Sequence, residues 1–158
     1  MNKVLPLFWT FFVLFSLTAQ TSEFQKETLP PSSKTIMLEE HFDDVTTLEG
    51  KGWNMQNLSS PIGAYGWFQG NPNVFPSYDG DEDSYIAVNY SSGSGAATIS
   101  NWLFTPVVSL SNGSTLKFWT KSAGAGYADR LQVRMSTNGN SVDVGTSHTS
   151  IGDFSILL

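Results

Sequence analysis

Apolar residues recur at every second position in the most regular stretches of this chain. From Arg130 to Met135 the alternation is unbroken, with Leu131, Val133 and Met135 on one side and Arg130, Gln132 and Arg134 on the other. Successive side chains leave opposite faces of a pleated backbone, so this is the pattern of a half-buried strand. Thr115–Lys121 follows the same rule: Leu116 and Phe118 point one way, Lys117 and Lys121 the other, with Trp119 on the lysine side. Ile36–Phe42, Ala64–Gln69, Tyr85–Tyr90 and Ala97–Phe104 are read as further strands. Turn chemistry separates them, at Ser111-Asn112-Gly113-Ser114 and at Ser136-Thr137-Asn138-Gly139-Asn140. Ser91–Gly95 and Ala123–Gly126 are conformationally permissive stretches. No amphipathic helix and no internal repeat is visible, so the fold class is all-β, and short strands with regular turns point to a β-sandwich.

The N-terminus follows a different logic. Lys3 precedes an almost unbroken apolar run from Val4 to Leu17, which gives way at once to Thr18, Ala19, Gln20, Thr21 and Ser22. The run is shorter than the roughly 20 residues that cross a bilayer. Charge, apolar core and small residues in this order define a secretory signal peptide, expected over residues 1–19. Residues 20–34 read as a flexible mature tail, stiffened by Pro30 and Pro31, and the folded part is expected over 35–158. No later segment is apolar and long enough to span a membrane. Ile151–Leu158 is a turn followed by an apolar, strand-like run ending on two leucines. The sandwich is therefore expected to be truncated on its C-terminal side, as one part of a longer polypeptide.

Removing residues 1–19 takes one of eight Lys+Arg and none of fourteen Asp+Glu, so seven bases face fourteen acids, a net charge of −7. Such a chain does not advertise binding to nucleic acid or to an anionic membrane. It has no cysteine, which excludes disulfides, a thiol nucleophile and an N-terminal lipid anchor on cysteine. Asn57, Asn89 and Asn112 open Asn-x-Ser sequons.

Two acidic groups are candidate metal ligands. Asp79-Gly80-Asp81-Glu82-Asp83 places carboxylates at alternate positions, as the first ligands of a calcium loop do, but Ser84 and Tyr90 stand where an EF-hand has Gly and Glu. Four adjacent carboxylates repel one another unless a cation joins them; the alternative is a solvated acidic loop. Glu39, Glu40, Asp43 and Asp44 surround His41 and Phe42, and one of the two glutamates can share an ion with Asp43. His41 and His148 are isolated, which leaves zinc unsupported. Neither a Gly-x-Ser-x-Gly elbow nor a phosphate loop is present, and no carboxylate pair is specified across a cleft. Trp53, Trp67, Trp102 and Trp119 are expected to fill the core. Tyr65, Trp67 and Tyr78, set among glycines and prolines, are the candidate ligand-binding aromatics, since rings on loops stack on sugars or clasp a protein.

Glu39-Glu40-His41-Phe42-Asp43, Gly52-Trp53 and Trp67-Phe68-Gln69-Gly70-Asn71-Pro72, followed by Ser84-Tyr85-Ile86-Ala87-Val88-Asn89, Asn101-Trp102-Leu103-Phe104-Thr105-Pro106 and Thr115–Trp119, resemble the choice-of-anchor J or cleaved-adhesin family. That family is related to the adhesin modules of gingipain proteases and more distantly to MAM domains. The resemblance runs from about Ile36 to the last residue. It implies a jelly-roll β-sandwich exported by Bacteroidetes-type bacteria, stabilised by calcium and serving adhesion without catalysis. By motif position Glu40, Asp43 and Asn89 are its metal candidates; Asp79, Asp81 and Asp83 join them on the charge argument. The expected partner is an extracellular glycan or a host matrix protein. A lectin-like sandwich acting as, or beside, a secreted hydrolase or peptidase is the rival reading.

Overall fold

A computed structural model describes residues 35–124 and 129–158. The expected signal peptide, the tail to residue 34 and the second half of Ala123–Gly126 lie outside them. All regular structure here is antiparallel strand, apart from 3-10 turns at Val45–Thr47, Glu49–Lys51 and Tyr90–Ser92. The strands are β1 (Asn54–Asn57), β2 (Ser60–Ile62), β3 (Phe68–Gln69), β4 (Ile86–Ala87), β5 (Gly93–Thr98), β6 (Asn101–Phe104), β7 (Arg134–Met135) and β8 (Ile156–Leu157).

The first six strands lie along one folded-back ribbon. β1 pairs with β6, β2 with β5 and β3 with β4, each pair nested inside the last. At the joint between β1 and β2 a side chain replaces a ladder bond: Leu58 N donates to the Ser100 carbonyl, and Ser100 N donates to Ser59 Oγ at 3.0 Å. A wide bulge follows. Ser60 faces Thr98 and Ile62 faces Gly93, so five residue steps on β5 answer two on β2. The extra residues bow outward, with Gly95 left-handed at φ 64°, a conformation open to glycine and strained for most other residues.

Two apolar clusters anchor the ribbon. Val45, Leu48 and Trp53 are buried, and Phe42, Met55, Ile86 and Leu103 pack against them. Phe42 meets Trp53 edge to face at 5.5 Å. On β6, Trp102 and Phe104 contact Phe154, Phe104 with its ring centroid 5.1 Å away, while Arg134 Nη1 donates to the Phe154 carbonyl and Leu158 N to that of Val133. The loop leading to β8 is tied by Asp153, which accepts from Ser141 Oγ and Asn138 Nδ2. Those two bonds, the Ser141 one first, hold its carboxyl below the ordinary aspartate range.

Three strand expectations fail over most of their length, and the other three narrow to Phe68–Gln69, to Ile86–Ala87, and to the end of β5 with β6. Ile36–Phe42 runs extended without a ladder, its Ile36, Met37 and Leu38 exposed. Thr115–Lys121 is unpaired, and Leu116, Phe118 and Trp119 are 60%, 50% and 64% exposed. Only Arg134–Met135 of the third forms ladder, and Leu131 is exposed. Alternation shows that a segment can bury one face; it does not supply the neighbour that would cover it. Of the four tryptophans placed in the core, Trp53 is buried, Trp67 and Trp102 are half-buried, and Trp119 stands in solvent.

Candidate functional site

The tip of the ribbon, residues 70–85, is a long loop closed on itself. Gly70 N donates to the Tyr85 carbonyl at 2.7 Å, and the Tyr85 hydroxyl both accepts from Asn71 N and donates to the Asn71 carbonyl. Gly70 must be glycine, because a Cβ there would fall 2.3 Å from the Tyr85 ring. Ser77 closes the acidic end, its N donating to the Glu82 carbonyl and its Oγ to that of Asp81.

This loop meets the segment around Phe42. Asp43 Oδ1 accepts from the buried Ser84 hydroxyl at 2.7 Å. Gly80, left-handed at φ 84°, brings its backbone so close that a Cβ would stand 3.3 Å from the same Asp43 oxygen. His41 lies between Glu39 and Asp79, at 3.6 and 3.9 Å. Gln69 joins both segments: its Nε2 donates to the carbonyls of Phe42 and Asp83, and its Oε1 accepts from Val45 N.

The six candidate metal ligands thus have different employment. Glu40 is a structural carboxylate, accepting from Phe42 N at 2.9 Å and from Lys51 Nζ at 3.0 Å. Asn89 caps the Tyr90–Ser92 turn through Ser91 N. Asp43 and the Asp79, Asp81 and Asp83 loop adjoin through Gly80 and Ser84. Among the described residues no three acidic or histidine side chains gather closely enough to hold an ion. Asp43 and the neighbouring acidic loop offer carboxylate oxygens, the ligand type that calcium takes, whereas Glu40 and Asn89 already serve the fold.

The candidate aromatics also divide. Trp67 spends its indole N–H on the Trp102 carbonyl at 2.9 Å and serves packing. Tyr78 stacks on Trp119 with centroids 4.2 Å apart and planes 18° from parallel, although the two are 71% and 64% exposed. Beside them Phe75 stacks on Tyr85, and Lys121 Nζ sits 5.0 Å above the Phe75 ring. Tyr65 stands at the bulge, on the wall of a cleft of about 860 Å³ that it shares with Tyr90. Sequence reasoning missed Tyr90 and Lys121 and assigned Trp119 to the core. Trp119 lies on the lysine side of its alternating segment, but Leu116 and Phe118 on the opposite side are exposed as well, so the alternation carried no signal of its place.

No family model, no curated protein and no solved structure matches this chain. Among the described residues no helix is long and apolar enough to cross a membrane.

Proposed function

We propose that this chain is an exported, non-catalytic adhesion module of the choice-of-anchor J type, a jelly-roll sandwich stabilised by calcium that grips an extracellular glycan or matrix protein. The observation that carries the reading is the Tyr78–Trp119 stack. Two large rings from segments far apart in sequence are held parallel with most of their surface in water. Exposed aromatic surface on a pinned loop is the common currency of recognition sites, since rings bring large contact area at small entropic cost. Calcium is assigned to Asp43 with the Asp79–Asp83 loop. The apolar run behind Lys3 supports export.

Binding of the full chain to arrays of glycans and matrix proteins tests the function. The expected result is retention on at least one class, reduced about tenfold in Trp119→Ala. Silence on both arrays would remove the adhesion reading. N-terminal sequencing of the exported product, expected to begin near Gln20, tests localisation separately.

A further inference from the structure

The β-bulge between β2 and β5 builds a second recess with its own chemistry. Ile62 and Ile99 line it together with backbone and small side chains: Gly63 N donates to the Ser92 carbonyl at 2.8 Å, and a Cβ on Gly63 would fall 2.1 Å from the Ser91 carbonyl oxygen. The bowed-out Ser94–Ala97 forms one wall. Tyr65 and Tyr90 rise beside it, 63% and 82% exposed. A smaller hollow lined by Phe68 and Asn89 shares Tyr65 and Ser91 with the cleft and extends it.

Both tyrosines stand on fixed backbone. Tyr65 N donates to the Ser91 carbonyl, and the Tyr65 carbonyl accepts from Asn57 Nδ2 at 3.1 Å. Tyr90 opens the turn that Asn89 caps. The same Asn57 amide donates to the Ser92 carbonyl at 2.8 Å, and the fully buried Ser92 hydroxyl accepts from Asn101. Rings on pinned main chain lose little freedom when a ligand stacks on them.

None of the residues lining either hollow is charged, in a protein whose acids outnumber its bases. A charged ligand would find no partner there. We infer that the Tyr65–Tyr90 cleft binds an uncharged saccharide, with pyranose C–H faces against the two rings and hydroxyls bonded to Ser91, Ser94 and the main-chain groups of the bulge. An extended peptide fits less well, because strand addition requires a regular row of amides and carbonyls, and the bulge interrupts it. This site shares no residue with the Tyr78–Trp119 stack, so the two can fail independently.

Titration of the full chain with cellohexaose, maltohexaose and xylohexaose, followed by NMR or calorimetry, tests the inference, with hexagalacturonate as the acidic comparison. At least one neutral hexasaccharide is expected to bind, with affinity about tenfold lower in Tyr65→Ala and in Tyr90→Ala. Trp119→Ala should leave that binding intact. Ala96→Trp, at an exposed position inside the recess, should block it without touching either tyrosine. Binding by none of the three neutral sugars overturns the assignment. So does preference for hexagalacturonate, binding that survives both tyrosine substitutions, or occupation by a peptide in their place.

Discussion

Gln69 fixes Phe42 in a backbone conformation that an aromatic residue rarely adopts. Phe42 has φ 59°, the left-handed region that costs a non-glycine residue about 1–3 kcal/mol. Gln69 Nε2 donates to its carbonyl at 2.8 Å, Glu40 accepts from its N–H at 2.9 Å, and its ring is seated against Trp53. The strain is held from three directions, and it turns the chain so that Asp43 reaches Ser84.

Gln69→Leu should therefore destabilise the protein more than its partial exposure suggests. It leaves the Phe42 carbonyl and the Val45 N–H without their partner, while the Asp83 carbonyl keeps the Tyr85 N–H. Unpaired buried groups cost about 1–3 kcal/mol, and a loss of unfolding free energy of that size, read from a lowered urea midpoint, is expected. No shift would mean that water replaces the amide freely.

Leu48 is fully buried beside Val45 and Trp53. Truncation to alanine removes contacts that a cluster this small cannot reform, at a cost of about 2–5 kcal/mol. The check is equilibrium denaturation of Leu48→Ala beside the exposed Leu110→Ala, which should remain close to the parent.

Asp153 makes stability depend on acid. Its folded-state carboxyl is depressed by the Ser141 and Asn138 hydrogen bonds, so the folded state releases this proton more readily than the unfolded chain. The contribution is fully present above the unfolded value, about pH 4. It fades as pH falls through the lower folded value. The stability gap between the parent and Asp153→Asn should close as pH drops below about 4; a gap independent of pH would show that the ionised form is not what matters.

Calcium at ~100 times its dissociation constant should raise unfolding free energy by about 2.7 kcal/mol, and chelator should abolish the gain. Asp43→Asn is expected to remove most of the response and Asn89→Ala little of it, since Asn89 caps a turn. Melting curves that superimpose with calcium and with chelator would exclude a structural ion.

The sequence made the strand segments around β3, β4 and β6 legible, because Phe68, Ile86 and Leu103 sit in runs with β-forming composition. β1 and β2 were hidden. Asn54-Met55-Gln56-Asn57 and Ser60-Pro61-Ile62 carry residues that disfavour strands in isolation; β1 pairs with β6, whose Trp102 and Phe104 are packed against Phe154, and β2 pairs with β5. Gly93–Gly95 read as loop for its composition, yet it begins β5. At the acidic tip, the sequence supplied the carboxylates but not Gln69, whose role depends on three backbone groups brought together only by folding. Tyr90 was obscured for the same reason: the cleft beside it is made by a register slip, and register is invisible in composition.

The nesting of β3–β4 within β2–β5 within β1–β6 also sets an order of assembly. Joining Asn54 to Phe104 directly means closing a long loop, and the entropic cost grows with its length. Once Phe68 and Ala87 have met, each outer pair closes only a short extension of the one inside it. The chain is expected to zip from the acidic tip outward, so that Phe68→Ala slows refolding while Met55→Ala chiefly accelerates unfolding. Stopped-flow rates for the two variants would reverse this order if the outer strands met first. The wide bulge at β5 is then the point where the zipper must skip residues, and the recess between Tyr65 and Tyr90 is the trace of that skipped step.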